Sequence, residues 1–80
     1  MTEVEVYARL TEVLRDVFLR DDLVATPELT AAAVPGWDSM KQVDIVLSVE
    51  ERFSLTFSSR EIDQLRKVGD FVALIMRKAV

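Results

Sequence analysis

The stretch GWDSMKQVDIVLSVEERFSLTF, residues 36–57, decides the fold of this chain. Asp38 precedes a run in which apolar residues recur at helical spacing, so it predicts an N-cap and a helix from Ser39 to about Phe53. The stripe predicted for this helix is Met40, Val43, Val46, Leu47, Val49 and Phe53, with Val43, Val46, Leu47 and Phe53 on the buried side. Asp44, Glu50 and Glu51 are expected on its exposed side.

The flanking sequence predicts three more helices and no strand. Thr2 and Glu5 form a capping-box pattern that opens a helix over residues 3–19, and Ser58 and Glu61 form another that opens a short helix over 59–64. The apolar stripes are Val6, Tyr7, Leu10, Val13, Leu14, Val17 and Phe18 in the first helix, and Val68, Phe71, Val72, Leu74, Ile75 and Val80 in the last. Gly69 and Asp70 are interpreted as punctuation that marks the last helical segment.

Residues 21–36 lose this periodicity and are predicted to form a long loop. The loop is expected to pack across the domain through Leu23, Val24, Leu29 and Val34, with a short helical turn within residues 30–33. The prediction is therefore one all-α domain, residues 1–80. It is a four-helix bundle of three longer helices and one short one, with a long loop between helices 1 and 2.

Composition excludes several classes of function. The chain has 80 residues, half of them hydrophobic, with no cysteine and no histidine. Disulfides, thiolate metal sites and a Ser-His-Asp triad cannot be built, so neither catalytic residues nor a metal site are expected. The net charge of −4 disfavours nucleic acid binding. No apolar run could span a membrane and no secretory signal precedes the domain, so we expect a free-standing, monomeric cytoplasmic protein without membrane insertion.

Ser39 is the residue that needs explaining. If Asp38 is the cap, Ser39 occupies the first helical position, where the helix dipole and free backbone N–H groups favour an anionic group such as a phosphodiester. Because the chain supplies no histidine base, Ser39 is predicted to be a hydroxyl that another enzyme modifies. Most serines at helix starts have no such role, so position alone leaves this open.

The wider pattern resembles the acyl carrier protein family. The resemblance rests on the motif Asp38-Ser39-Met40 and on the two runs that follow it, Val43-Asp44-Ile45-Val46 and Val49-Glu50-Glu51-Arg52-Phe53. The resemblance implies that a phosphopantetheinyl transferase attaches 4′-phosphopantetheine from coenzyme A to Ser39, and that acyl groups ride on it as thioesters. Lys41-Gln42 after the motif and Gly-Trp before it look more like the sequences of discrete bacterial carriers of specialised pathways. A role in fatty acid or polyketide synthesis stays open.

Two surfaces are predicted beside Ser39. Met40, Val43, Asp44, Glu50 and Glu51 are the candidate docking residues for the transferase and for acyl-loading and acyl-processing enzymes. Val46, Val49, Phe57, Ile62 and Leu65 are the candidate lining of an acyl pocket between the second and third helices. Two alternatives remain: an aminoacyl or D-alanyl carrier of the same fold, and a non-carrier helical adaptor that binds partners through its second helix.

Overall fold

A computed structural model describes residues 2–79 and shows four α-helices, with no strand in that range. The helices are α1 (Glu3–Phe18), α2 (Ser39–Phe53), α3 (Ser59–Asp63) and α4 (Val68–Lys78), and a 3₁₀ turn covers Ala31–Ala33. The predicted all-α bundle with a long loop between α1 and α2 is therefore confirmed. The expectation for Val80 lies outside the described residues.

The helix boundaries follow from local capping. The Thr2 hydroxyl accepts a hydrogen bond from the Glu5 N–H at 3.2 Å, and the Ser58 hydroxyl accepts one from the Glu61 N–H at the same distance. Each of these bonds satisfies a donor that a helix start leaves unpaired. Both predicted capping boxes are present.

The core forms where α1 packs against α2 and α4. Side chains that are essentially inaccessible come from all three helices: Val6, Leu10, Val13 and Leu14 from α1, Ile45 and Val49 from α2, and Ile75 from α4. Spacings of three and four residues place each set on one face of its helix. None of the helices within residues 2–79 has the length and hydrophobicity that a membrane span requires.

The buried face of α2 differs from the one predicted. Ile45, Val49 and Phe53 are buried, and Val46 is half-buried. Met40, Val43 and Leu47, which the predicted stripe included, are 75%, 56% and 57% exposed. The reason is that residues 43–49 are apolar nearly all round the helix. Periodicity then offers two stripes, and packing against α1 selects the one through Ile45.

The long loop is fixed at its far side to the start of α4. The Val68 N–H donates to the Leu29 carbonyl at 2.8 Å, and the Gly69 N–H donates to the Pro27 carbonyl at 3.0 Å. We call this pair of bonds the loop latch. It gives partners to two N–H groups that the first turn of α4 would otherwise leave free.

Gly69 and Asp70 both lie within the first turn of α4. A Cβ on Gly69 would stand 3.0 Å from the Pro27 carbonyl oxygen, so glycine allows the close approach of the loop. The Asp70 carboxylate reaches back to the Arg66 and Lys67 N–H groups at 3.1 and 3.3 Å. Within the loop, Leu23 and Val34 are buried as predicted, whereas Val24 is 53% exposed.

Candidate functional site

Ser39 is the first residue of α2, and its side chain is exposed. Asp38 caps the helix: its Oδ1 accepts a hydrogen bond from the Lys41 N–H at 3.0 Å, and its carbonyl accepts one from the Gln42 N–H at 2.9 Å. The Asp38 carboxylate is thus engaged with the backbone. The Ser39 hydroxyl lies at the positive end of a 15-residue helix, open to solvent.

The approach to Ser39 is held in place by Gly36 and Trp37. Gly36 has a φ of +88°, a left-handed conformation that residues with a Cβ rarely adopt. Trp37 Nε1–H donates to Gln42 Oε1 at 2.8 Å, and the indole contacts the Phe18 ring with centroids 5.5 Å apart. The loop therefore enters α2 at a defined angle, tied both to α2 itself and to the end of α1.

A groove of about 480 Å³ runs beside Ser39. Its walls come from the 3₁₀ turn, the start of α2 and the far end of α3: Ala31, Trp37, Asp38, Ser39, Gln42, Ile62, Asp63 and Leu65. Two further spaces share residues with this groove. One is an open cleft of about 280 Å³ between α2 and α3. The other, which we call the inner pocket, is a smaller space of about 60 Å³ lined by Trp37, Leu29 and Phe71 among others.

The residues predicted to line an acyl pocket are distributed over these spaces. Val46, Phe57 and Ile62 line the cleft between α2 and α3. Leu65 lines the groove beside Ser39 and the inner pocket. Val49 is fully buried in the core and lines none of the three. Val43, Leu47 and Gln42, which were not among the predicted lining residues, also line the cleft.

The residues predicted to dock partners fall into two groups. Met40 and Val43 are exposed, and so are Asp44 and Glu51. Glu50 departs from the expectation of an exposed position: it is half-buried, and its Oε2 accepts a hydrogen bond from the Phe57 N–H at 2.8 Å. Its carboxylate therefore holds the connection that follows α2 and is poorly placed to meet a partner.

Two cations near this surface are turned towards α1. Arg52 donates to Glu12 at 2.9 Å and to Asp16 at 2.7 Å, and Lys41 Nζ donates to the Val17 carbonyl at 3.3 Å. Both cations thereby bind groups of the neighbouring helix. The exposed side of α2 beyond Ser39 consequently presents Asp44 and Glu51 next to Met40, Val43 and Leu47.

α3 is attached to α4 through Lys78. Its Nζ lies 3.1 Å from Glu61 Oε1 and 5.7 Å from the centroid of the Phe57 ring. The hydrogen bond from the Ser58 N–H, together with the bond from Lys78, lowers the pKa of the Glu61 carboxyl below its ordinary range. The Phe57 ring also meets Phe71 edge-on at 5.5 Å, which fixes the floor of the cleft.

Sequence reasoning missed two features of the site. The Trp37–Gln42 bond joins residues five positions apart across a helix start, and no periodic pattern points to it. The loop latch had one usable signal: Gly69 interrupts an otherwise apolar helical pattern, and a glycine in that position often marks close packing.

Known proteins with similar sequences are acyl carrier proteins. A meromycolate extension acyl carrier protein of Mycolicibacterium smegmatis is 29% identical over 76 residues, which is 95% of this chain and 77% of the relative. The acyl carrier protein of Coprothermobacter proteolyticus is 29% identical over 75 residues, 94% of this chain and 92% of the relative. No family model matches.

A Schizosaccharomyces pombe protein, provisionally named a mitochondrial acyl carrier protein, is 32% identical over 59 residues, or 74% of this chain. The match covers 53% of that protein, so the chain spans about half of its length. Because this relative is named as mitochondrial, the cytoplasmic location expected for the chain stays a prediction.

Among solved structures, the holo acyl carrier protein of Geobacter metallireducens superposes with a TM-score of 0.86 at 32% identity, covering 91% of this chain and 84% of that protein. The shared helical architecture and the sequence similarity define a small carrier domain. The chain belongs to the acyl carrier protein family. Members of this family are carriers, and the prosthetic group that they hold covalently is 4′-phosphopantetheine.

Proposed function

We propose that this protein carries acyl intermediates as thioesters on 4′-phosphopantetheine attached to Ser39. The observation that carries the proposal is the position of Ser39: an exposed hydroxyl at the first turn of α2, beside a groove. The neighbouring Asp38 acts as the cap, so Ser39 is not needed to hold the helix start.

The residues around Ser39 are suited to hold 4′-phosphopantetheine. A phosphodiester on the Ser39 Oγ would lie at the positive end of α2, where helix N-termini favour anions. Attachment would form a bond between the Ser39 Oγ and a phosphorus of coenzyme A, while the remaining nucleotide leaves and a base of the transferase takes the hydroxyl proton. The bound group supplies the thiol that this cysteine-free chain lacks.

The exposed part of α2 is proposed as the docking surface for the transferase and for the enzymes that load and process the cargo. Asp44 and Glu51 are seven residues apart, about two helical turns, so they share a face. Met40, Val43 and Leu47 add apolar contact area beside them. Exposed carboxylates around apolar side chains suit a partner with a basic rim and an apolar centre.

The cargo is proposed to be an acyl group of fatty acid, polyketide or another specialised biosynthesis. A cleft between α2 and α3 lined by Val46, Phe57 and Ile62 supports this choice, because apolar lining suits an alkyl chain. An aminoacyl or D-alanyl group is the alternative for the same attachment site. A monomeric carrier in the cytoplasm remains our working expectation.

Intact-mass measurement tests the attachment. After incubation with coenzyme A and a broad-specificity phosphopantetheinyl transferase, the wild-type protein should gain the mass of one phosphopantetheine, and Ser39→Ala should gain none. Ser59→Ala is the matched control, since Ser59 is also an exposed first residue of a helix behind a capping side chain. It should load fully.

Loading of Ser39→Ala at the wild-type level would contradict the assignment of Ser39. A wild-type protein that gains no mass with an active transferase would favour the helical adaptor instead.

A further inference from the structure

We propose that α3 and α4 form a second docking surface, which binds an acidic segment of a partner protein. Its cationic residues are Arg60 on α3, Arg66 and Lys67 directly before α4, and Arg77 near the end of α4. We call these four residues the basic face. The inference goes beyond the proposed function, because it involves neither Ser39 nor the exposed side of α2.

The last third of the chain carries an excess of positive charge. Residues 54–80 hold five cationic and three anionic side chains, although the net charge of the whole chain is −4. Among the carboxylates, Glu61 is paired with Lys78 and accepts a hydrogen bond from the Ser58 N–H. Asp70 accepts bonds from two backbone N–H groups. The four cations of the basic face are exposed, and in the described part of the chain none of them forms a salt bridge.

The basic face borders a cleft of about 340 Å³ between α3 and α4. Arg77, Gln64 and Asp70 are among the residues that line it. Asp70 also accepts the hydrogen bonds from the backbone N–H groups of Arg66 and Lys67, so these two residues lie beside the cleft. Arg60 is four residues before Gln64, about one helical turn, which places it on the same side of α3.

Two of the four cations stand where the stability of α4 disfavours them. Lys67 is the N-cap residue of α4, and Arg66 precedes it. The N-terminal end of a helix carries partial positive charge and favours carboxylates over cations. A lysine side chain also has no acceptor atom with which to cap, and the Asp70 carboxylate takes the Lys67 N–H instead. Helix stability does not account for these two cations, whereas binding of an anionic partner does.

The surroundings of the basic face favour a protein partner over a membrane or a nucleic acid. The large hydrophobic side chains that are exposed all lie within residues 4–47, so α3 and α4 offer none that could insert into a bilayer. A long polyanion such as RNA meets the carboxylates on the rest of a chain whose net charge is −4. A short acidic segment interacts mainly with the local face, because charges beyond about 8–10 Å are screened at physiological salt.

The spacing of the cations sets the spacing of the partner's carboxylates. Lys67 and Arg77 are ten positions apart along α4, which is about 15 Å at a rise of about 1.5 Å per residue. An extended segment covers this length in about five residues, at about 3.3 Å each. Carboxylates at both ends of such a segment reach Lys67 and Arg77 together, and the guanidinium can bind its carboxylate through two parallel hydrogen bonds.

Two docking surfaces of opposite charge allow two partners to bind together. Ile62 and Asp63 line the cleft towards α2, whereas Glu61 and Gln64 line the cleft towards α4. α3 therefore stands between the two surfaces. An acidic partner held at the basic face leaves Ser39 and the exposed side of α2 open to a basic enzyme.

NMR titration with a polyglutamate peptide tests the basic face. A peptide of about ten residues is long enough to reach both ends of it. In ¹⁵N-labelled wild-type protein at low ionic strength, the backbone amides of Lys67, Ala73 and Arg77 should shift until the protein is saturated, while those of Asp44 and Glu51 should stay in place. Raising the salt concentration should weaken the binding. A polyglutamine peptide of the same length should cause no shift.

Paired substitutions identify the cations involved. Arg66→Gln combined with Arg77→Gln should weaken binding of the polyglutamate peptide about fivefold, as expected for the loss of two exposed ion pairs. Arg9→Gln combined with Arg20→Gln removes the same charge from α1 and the long loop, and should leave the affinity within about twofold. None of the four arginines is buried, so both double variants should fold, which circular dichroism would verify.

Shifts that do not saturate, or that fall on other surfaces, would overturn the proposal. Equal affinities of the wild type and of the Arg66→Gln, Arg77→Gln variant would do the same. Sedimentation with phosphatidylglycerol vesicles and gel retardation with single-stranded RNA complete the comparison: binding of either that is tighter than binding of the peptide would also overturn the choice of a protein partner. Ser39→Ala should bind the peptide as the wild type does, so failure of the proposed function and failure of this inference are distinguishable.

Discussion

Gly36 holds a left-handed backbone two residues before the capping Asp38. Nothing lies within 4 Å of the place where a Cβ would stand, so a side chain there meets no clash. The cost of a substitution is purely one of backbone conformation. Gly36→Ala should therefore lower the free energy of unfolding by about 1–2 kcal/mol. Chemical denaturation monitored by circular dichroism would measure the change.

Gly36→Asn is the matched control, because asparagine tolerates positive φ better than alanine does. It should lose less stability than Gly36→Ala. An alanine variant as stable as the wild type would show that the turn before Trp37 relaxes to negative φ at no cost.

Single residues were the scale at which the sequence was most informative. Asp38, Thr2 and Ser58 were predicted as caps, and each caps its helix, because capping depends on residues within one turn. The close contact between Gly69 and Pro27 was not predicted, since Pro27 is distant in sequence and no local pattern indicates such a contact.

α2 shows why a helix can be predicted correctly while its orientation is not. Its bounds, Ser39–Phe53, were predicted, but its buried stripe runs through Ile45 and Val49. Helical propensity and capping fix the element, whereas the buried side depends on which neighbour packs against it. The error has a functional consequence: Leu47, first assigned to the buried side, belongs to the exposed surface beside Ser39.

α3 has only five residues, and its attachment to α4 through Glu61 and Lys78 should depend on pH. The hydrogen bond from the Ser58 N–H and the contact with Lys78 lower the pKa of Glu61 in the folded protein below the ordinary value of 4.5. Its contribution to stability is thus fully present above pH 4.5 and is lost as the pH falls through the lower, folded pKa.

Urea midpoints measured from pH 7 to pH 3 would check this. The midpoint of the wild type should fall more steeply below pH 4.5 than that of Glu61→Gln, which cannot titrate at this position. The slope should not vanish, since the pKa values of Glu5 and Asp22 are lowered too. Glu51→Gln controls for the loss of one charge. Parallel profiles for wild type and Glu61→Gln would rule out a role for Glu61.

Over the whole molecule, the net charge of −4 is distributed so that the exposed side of α2 is acidic. Arg52 and Lys41 bind groups of α1, which leaves Asp44 and Glu51 as the exposed carboxylates that we propose face a partner. Reversing both to lysine should slow loading by the transferase, chiefly through the association rate and most strongly at low ionic strength. Stability should change by less than about 0.5 kcal/mol, as is usual for surface positions.

The control reverses Asp21 and Glu28, two exposed carboxylates of the long loop, which alters the net charge equally. Loading reactions would be quenched at set times and analysed by intact mass, over a range of salt concentrations. These measurements would give the loading rates of both double variants. Equal rates for the two double variants at low salt would place recognition elsewhere on the protein.

The loop latch also bears on the order in which the protein becomes functional during its synthesis. Translation delivers Ser39 well before Val68 and Gly69, the residues whose N–H groups hold Pro27 and Leu29. Domains tend to fold as units once their distant partners have emerged. A nascent chain that has left the ribosome only as far as α3 exposes the serine but lacks the anchor for the loop leading to it. The hydroxyl thus acquires its fixed setting only after α4 has been made, and a transferase that modifies Ser39, as proposed, would meet a finished fold.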